Sequence, residues 1–425
     1  MDAPVRRLVL SGYYGFDNSG DEAVLQSILL ALRQQGEEQG VRIEPIVLSG
    51  HPQRTAEMYG VEACPRMKPA AVLRALRGSD GLVSGGGSLL QDATSAKTIP
   101  YYLAVLKLAQ WLGKPTFVYS QGIGPVNRRF FDGWIRAVFR RCRYISVRDT
   151  ESADLLAAMR LPRERIAVVP DPVMGLPLRA AGPGGVGPAG AAAAAPGETG
   201  AAPEARGGVS VGAASSAPPN IAGAVAAATP ARPVPAAARA GGESWRTVGV
   251  SVRFWNRDRS ELDALAQALE ALLNARSDVR LRFLPFHLPS DEEASQYVIA
   301  RLGGDHQARV ELTQGVVHPQ DMLEQVAACD LLIGMRLHSL IYAASQYVPM
   351  VGISYDPKID QFLHRLGMQA AASTDRFDAA ACAAEAVRLL DGRKAWAAEQ
   401  RAAIEALKAE AQRPAQHIAA FYREN

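Results

Sequence analysis

The chain has few of the features that mark a metal, disulfide or membrane protein. Four cysteines, Cys64, Cys142, Cys329 and Cys382, are scattered through 425 residues without a CxxC pair. That scatter argues against a zinc ribbon or a disulfide-stapled scaffold and reads as reduced thiols of a cytoplasmic protein. The seven histidines include no pair at metal-ligand spacing, so no metal site is expected. No run approaches the roughly 20 apolar residues that a spanning helix needs, and the apolar stretch before "SGYYG" is too short for a signal-peptide core. Cytoplasmic localisation is therefore the expectation, with peripheral contact at the inner face of a membrane left open. Charge is nearly balanced: 46 basic against 43 acidic side chains leave +3. Without a global positive field, nucleic acid is not an expected partner, and any anion site must be local.

With 48% hydrophobic residues, the chain can build two cores. The stretch 179–243 collapses into Ala, Gly and Pro ("AAGPGGVGPAGAAAAAPGETG" and onward) and reads as a disordered linker, having too little apolar area to offset its ordering entropy. On either side, short aliphatic runs alternate with helical stretches. In the first half "RRLVLSG", "DGLVSGGG", "KPTFVYSQGIGP" and "RYISVRD" each lead into a helix, "SLLQDATS" among them; "RTVGVSVRFW", "RLRFLPFH", "CDLLI" and "VPMVGISYD" open the units of the second. Strand-helix alternation at these lengths predicts parallel βαβ units, hence α/β class with two Rossmann-like domains. The expected layout is an N-terminal domain over 1–178, the linker over 179–243, a C-terminal domain over 244–383 and a helical segment over 384–425. That last segment caps the second domain or crosses back to the first.

In such sheets ligands bind beyond the carboxyl ends of the strands, and the unusual residues fall there. "SGYYGFDNSGDEA" sets Tyr14, Asn18 and Asp21 in a glycine-bearing loop before a helix. Its paired tyrosines suggest a sugar platform, whereas Asp21 as a helix cap is the plainer reading. No GK[ST] follows, so this is not a Walker loop. "SGGGSLLQD", with Gly86 and Gly87, and "SQGIGP", with Gln121, sit at further strand ends and could approach a phosphate or sugar hydroxyl, or simply allow tight packing. Arg148 of "SVRD" can clamp an anion in bidentate fashion or pair with Asp149 or Asp171. Arg253 of "SVRFW" and Lys358 of "SYDPKID" reach comparable positions.

The most informative segment is "GMRLHSLIYA". It places Arg336 and His338 where a strand gives way to a helix, amid apolar neighbours that make both costly to bury unpartnered. A guanidinium, a titratable imidazole and a helix N-terminus together can hold a dianion and move a proton. "RRFFDGWIRAVFRRCR" is amphipathic: Phe131, Ile135, Val138 and Phe139 share one face, and Arg129, Arg136, Arg140 and Arg143 another. It reads either as a sheet-covering helix or as a membrane-surface helix.

Taken in order, "SGYYGFDNSGDEAVL", "SGGGSLLQDATS", "YSQGIGP", "SVRDTESADLL", "RLHSLIYA" and "GISYDPKIDQF" resemble the bacterial polysaccharide pyruvyl transferases of the CsaB type. The resemblance spans both halves and omits 179–243. It implies a GT-B-like fold, two Rossmann-like domains facing across a cleft. It also implies transfer of the enolpyruvyl group of phosphoenolpyruvate onto two hydroxyls of a sugar, giving a pyruvate ketal and phosphate. The donor site would comprise Arg148, Arg336, His338 and Lys358, with Arg253 as a further candidate. His338 and Arg336 would be catalytic, and Tyr14, Asn18, Asp21, Gly86, Gly87 and Gln121 would serve acceptor or loop binding. Phosphoenolpyruvate is a co-substrate in this scheme and no cofactor is called for; the acceptor would be a sugar of a cell-surface polysaccharide precursor, in this family a lipid-linked one. The alternatives are a nucleotide-sugar glycosyltransferase of the same architecture and a non-catalytic glycan-binding protein.

Overall fold

The structure, a computed structural model, describes residues 3–92, 95, 97–179 and 245–425. Apart from Arg179, the linker expected over 179–243 lies outside the described residues. The two flanking halves belong to one compact unit.

The first half carries strands β1 (Val5–Tyr14), β2 (Arg42–Ser49), β3 (Glu62–Pro65), β4 (Gly81–Gly85), β5 (Thr116–Gln121), β6 (Tyr144–Val147) and β7 (Ile166–Val168). Helices α1 (Ser19–Glu38), α2 (Pro52–Tyr59), α3 (Pro69–Arg77), α4 (Thr98–Trp111), α5 (Phe130–Phe139) and α6 (Thr150–Ala158) connect them, and a 3-10 turn, Pro172–Gly175, ends the half. The strands pair in parallel in the order β3-β2-β1-β4-β5-β6-β7. The second half has β8 (Arg246–Ser251), β9 (Val279–Phe283), β10 (Val310–Leu312), β11 (Leu331–Gly334), β12 (Met350–Ser354) and β13 (Ala372–Ser373). Between and after them run α7 (Ser260–Ala275), α8 (Ser290–Ile299), α9 (Pro319–Ala327), α10 (Leu337–Ser345), α11 (Pro357–Arg365), α12 (Ala379–Asp391) and α13 (Arg393–Glu424). Its parallel sheet repeats the pattern as β10-β9-β8-β11-β12-β13. In each sheet the order reverses once, between β1 and β4 and between β8 and β11. A crevice opens at such a switch point because consecutive helices there depart to opposite faces.

Central strands buried on both faces explain the aliphatic runs: Leu8, Val9 and Leu10 of β1 and Leu331, Leu332 and Ile333 of β11 are all buried. α1 starts where Asn18 caps it, its Oδ1 accepting from Gly20 N at 3.1 Å, and lays Val24, Leu25, Ile28 and Leu32 against the sheet. Burial of such a side chain contributes about 1.5–3 kcal/mol. α10 is enclosed on almost every side, with Leu340, Ile341, Tyr342, Ala343 and Ala344 all inaccessible, so its helical residues can vary little without opening a cavity.

Three expectations need correction. "SLLQDATS" does not open a helix: Leu90 bridges Ile123 and Asp92 accepts from Asn127 N and Arg128 N, which holds Ser88–Asp92 as a loop; Ala93, Thr94 and Ala96 lie outside the described residues. β1 runs on to Tyr14, past Gly12 where "RRLVLSG" ends, so Tyr14 belongs to the strand and not to the loop. The carboxyl-terminal segment is two helices with different partners. α12 covers the second sheet, whereas α13 crosses back to the first half, where Tyr422 Oη donates to Asp80 O at 3.0 Å and Phe421 meets Phe117 edge-on at 5.4 Å.

The halves are also latched near the carboxyl edges of their sheets. Ser19 N donates to Phe286 O at 2.8 Å, Asn18 forms an antiparallel bridge with His287, and Ser19 Oγ lies 3.3 Å from Tyr342 Oη. Among the described residues no helix is long and apolar enough to cross a membrane.

Candidate functional site

A pocket lies where the two switch points face each other, walled by the loops after β1, β4, β6, β8, β11 and β12. Asn18, Asp21, Gly87, Arg148, Arg253, Arg336, His338 and Lys358 all line it, together with Tyr13, Ser88 and Tyr355. Four of these sequence-distant loops, those after β6, β8, β11 and β12, thus bring the expected donor set to one place.

Each cation is held in a defined way. Arg336 precedes α10 with extended backbone; its Nε donates to Asp291 Oδ2 at 2.9 Å and its Nη2 to Asp291 Oδ1, a bidentate pair. Asp291 is fully buried and also accepts from Phe286 N and His287 N, so one carboxylate fixes both the arginine and the β9–α8 loop. Arg148, with its side chain only 7% exposed, donates through Nη2 to Ser88 Oγ at 2.8 Å and through Nη1 to Asp171 Oδ2 at 3.4 Å, with Asp149 Oδ2 3.5 Å from its Nε. The structural pairs considered for Arg148 therefore exist, and the same guanidinium still borders the pocket. Lys358 is the second residue of α11, with Nζ 3.0 Å from Asp356 Oδ2. Arg253 has no carboxylate partner among the described residues; it donates to Tyr355 Oη at 2.9 Å and lies over the rings of Tyr355 and Trp255.

His338 sits in the first turn of α10, its Nε2 3.7 Å from Asp171 Oδ2 and without a hydrogen-bond partner. Asp171 is thus shared between Arg148 and His338. Burial works to raise its carboxyl, but His338 and Arg148 outweigh that and hold it below the ordinary carboxylate value. The other side of the imidazole rests on α1: a Cβ built at Gly20 would stand 2.1 Å from His338 Nδ1. Glycine is needed there because the helix start touches the ring. Asp21, one residue on, faces the same ring, and burial pushes its carboxyl from 3.8 up to about 6.

Three expected site residues lie elsewhere. Tyr14 is 1% exposed and donates to Gly85 O at 3.0 Å; strand alternation turns it inward and puts Tyr13, 42% exposed, on the pocket wall. Gly86, at φ +54°, lets the backbone pack on Val24, whose Cγ1 an added Cβ would overlap at 1.8 Å. Gln121 is fully buried and does not line the pocket. Asn18 does line it, but its side-chain oxygen is committed to capping α1. Sequence reasoning missed Ser88 and Asp291, and of the tyrosine pair it singled out Tyr14 where Tyr13 faces the pocket. Asp291 lies in the first turn of α8, and its pairing with Arg336 spans 45 residues, so no local pattern marks it.

α5 buries Phe131, Ile135, Val138 and Phe139, as its pattern predicts. Phe130 and Trp134 remain more than half exposed, next to Arg128 and Arg129 and one turn from Arg136.

Residues 18–357 match the sequence model of the family described as Polysaccharide pyruvyl transferase. That span contains Asp21, Arg148, Arg253, Arg336 and His338 and ends one residue before Lys358. A search of curated protein sequences gives no match. Among solved structures, a glycosyltransferase from Rickettsia africae is similar with TM-score 0.57 and 10% identity, over 99% of this chain and 98% of that one. Anabaena Alr3699/HepE in complex with UDP-glucose has TM-score 0.55 and 11% identity, over 98% and 99%. A putative UDP-N-acetylglucosamine 2-epimerase from Listeria monocytogenes has TM-score 0.55 and 10% identity, over 94% and 91%. These neighbours share the two-domain GT-B fold.

Proposed function

Because this chain belongs to the polysaccharide pyruvyl transferase family, we propose that it moves the enolpyruvyl group of phosphoenolpyruvate onto two hydroxyls of one sugar, in the manner of the CsaB-type enzymes. The observation that carries this reading is the convergence of Arg148, Arg253, Arg336 and Lys358 around His338 in one pocket. Phosphoenolpyruvate presents a phosphate and a carboxylate on one small carbon skeleton, and four cations supplied from both halves match that charge. Three of the four are already held by carboxylates, which fixes their positions before the anion arrives.

Arg336 and Arg148 offer planar guanidinium groups to the phosphate and carboxylate, Lys358 adds a point charge, and Arg253 closes the remaining side. Addition of a sugar hydroxyl to C2 needs a proton delivered to the methylene C3. On this reading His338, which lies between Asp171 and the pocket, delivers it and afterwards accepts the proton of the second hydroxyl, once phosphate has left C2 and the ketal closes. The chemistry is complete without metal or nucleotide. Tyr13 offers a ring against which a pyranose can stack on the N-terminal side. The acceptor is a polysaccharide precursor sugar, lipid-linked at the cytoplasmic face of a membrane, and the exposed Phe130, Trp134 and arginines of α5 form a face suited to an anionic surface.

The test is ligand-dependent unfolding combined with phosphate release. Phosphoenolpyruvate raises the melting temperature, UDP-glucose does not, and inorganic phosphate appears only when an acceptor sugar is present. Protection by UDP-glucose alone would instead assign the pocket to a nucleotide-sugar glycosyltransferase. Protection by phosphoenolpyruvate without phosphate release from any acceptor would leave a binding protein.

A further inference from the structure

On the pyruvyl-transfer reading, one group is still needed: a base for the attacking sugar hydroxyl, distinct from the acid that protonates C3. We propose that Asp21 is that base. It stands on the N-terminal half, at the start of α1, opposite the donor cations of the second half. Its carboxylate packs against Gly87, where an added Cβ would be 3.1 Å from Oδ1, and the two residues line the pocket side by side. No group among the described residues donates a hydrogen bond to it or pairs with it, although Asn18 and Glu22 beside it both have partners. A carboxylate kept free at the contact of two domains, next to a histidine, is arranged to act on a ligand.

The groups acting on Asp21 are His338 and Arg148, which favour its charge, and Glu22 and Asp171, which oppose it; the buried hydroxyls of Tyr14 and Tyr102 are also within electrostatic reach. Burial dominates and lifts the carboxyl to about 6, making it a stronger base than an ordinary aspartate while leaving it ionised at neutral pH. As the hydroxyl oxygen bonds to C2, its proton passes to Asp21. The C2–C3 π pair takes a proton from His338, and a methyl group forms at C3. The C2–O bond then breaks, its electron pair leaving with phosphate, and the phosphate removes the proton from Asp21. The second hydroxyl attacks C2 and returns a proton to neutral His338, so both groups finish as they began.

The experiment compares wild type with Asp21→Asn, using phosphoenolpyruvate and a p-nitrophenyl glycoside that the wild type pyruvylates. Turnover is expected to fall about 100-fold or more in the variant, while the melting-temperature shift caused by phosphoenolpyruvate is retained. In the wild type kcat/KM should fall on the acid side with an apparent pKa near 6; the variant's residual rate should lack that limb. Near-normal turnover with the limb intact would overturn the assignment, as would loss of phosphoenolpyruvate protection, which would make Asp21 a donor-binding residue. A wild-type profile flat below pH 7 would overturn it without reference to the variant. If the wild type pyruvylates none of the glycosides offered, the pyruvyl-transfer reading itself has failed.

Discussion

At the residue scale, the pocket separates side chains that bind from side chains that also hold the fold. His338 leaves Nε2 without a hydrogen bond, so His338→Ala should cost little stability and reduce turnover by two orders of magnitude or more; a variant of unchanged melting temperature and full activity would contradict its role. Arg336 differs. Removing it strands a fully buried carboxylate, a loss that at buried pairs typically costs about 3–5 kcal/mol. Arg336→Ala should therefore lower the melting temperature as well as abolish donor binding, and Asp291→Asn should reproduce part of the thermal loss. Lys358 is paired only locally with Asp356, so Lys358→Ala should raise KM for phosphoenolpyruvate with little change in melting temperature. Asp21 makes a prediction of opposite sign. A carboxyl raised in the folded state contributes stability below about 3.8 that is lost as pH rises through about 6. Asp21→Asn should thus melt higher than wild type at pH 7.5, with the gain shrinking toward pH 4.5. Equal melting curves at both values would mean that burial does not perturb this carboxyl.

At the scale of elements, strand-to-helix junctions were the legible part. "CDLLIGMRLH" placed Arg336 and His338 correctly at the end of β11 and the start of α10, because aliphatic runs buried on both faces fix the strand and polar residues must then lie at its edge. What stayed hidden depends on partners distant in sequence. Asp291 meets Arg336 across 45 residues, and Asp171 meets His338 across 167, separations at which no local pattern operates. The choice between Tyr13 and Tyr14 turns on strand alternation: β1 runs on through both residues, so the two rings leave on opposite sides and only Tyr13 reaches the pocket. Gly20 offers a test of how α1 and α10 meet. In an isolated helix Gly→Ala is favourable by up to about 1 kcal/mol. Here the added methyl collides with the His338 ring. Gly20→Ala should therefore lower turnover much more than it changes affinity for phosphoenolpyruvate. Unaltered activity would show that the ring has room to move.

At the scale of the whole molecule, the two Rossmann-like halves were readable from alternation alone, but the role of α13 was not. Its apolar positions look like those of any surface helix, and only the assembled structure shows Ile404, Leu407, Ile418 and Tyr422 buried, with the helix returning to the first sheet. That crossing, the Ser19–Phe286 bond and the Asn18–His287 bridge bring Tyr13 and Asp21 of the first half to Arg253, Arg336 and Lys358 of the second. The central claim is that this joint pocket makes a pyruvate ketal. Mass spectrometry of a panel of p-nitrophenyl glycosides and lipid-linked sugars, incubated with the protein and phosphoenolpyruvate, tests it most directly. The account predicts one acceptor gaining the mass of a cyclic pyruvate ketal, with an equal amount of phosphate released and no product from the His338→Ala protein. Glycosyl transfer from a UDP-sugar by the wild-type protein, with no ketal formed from phosphoenolpyruvate, would contradict it.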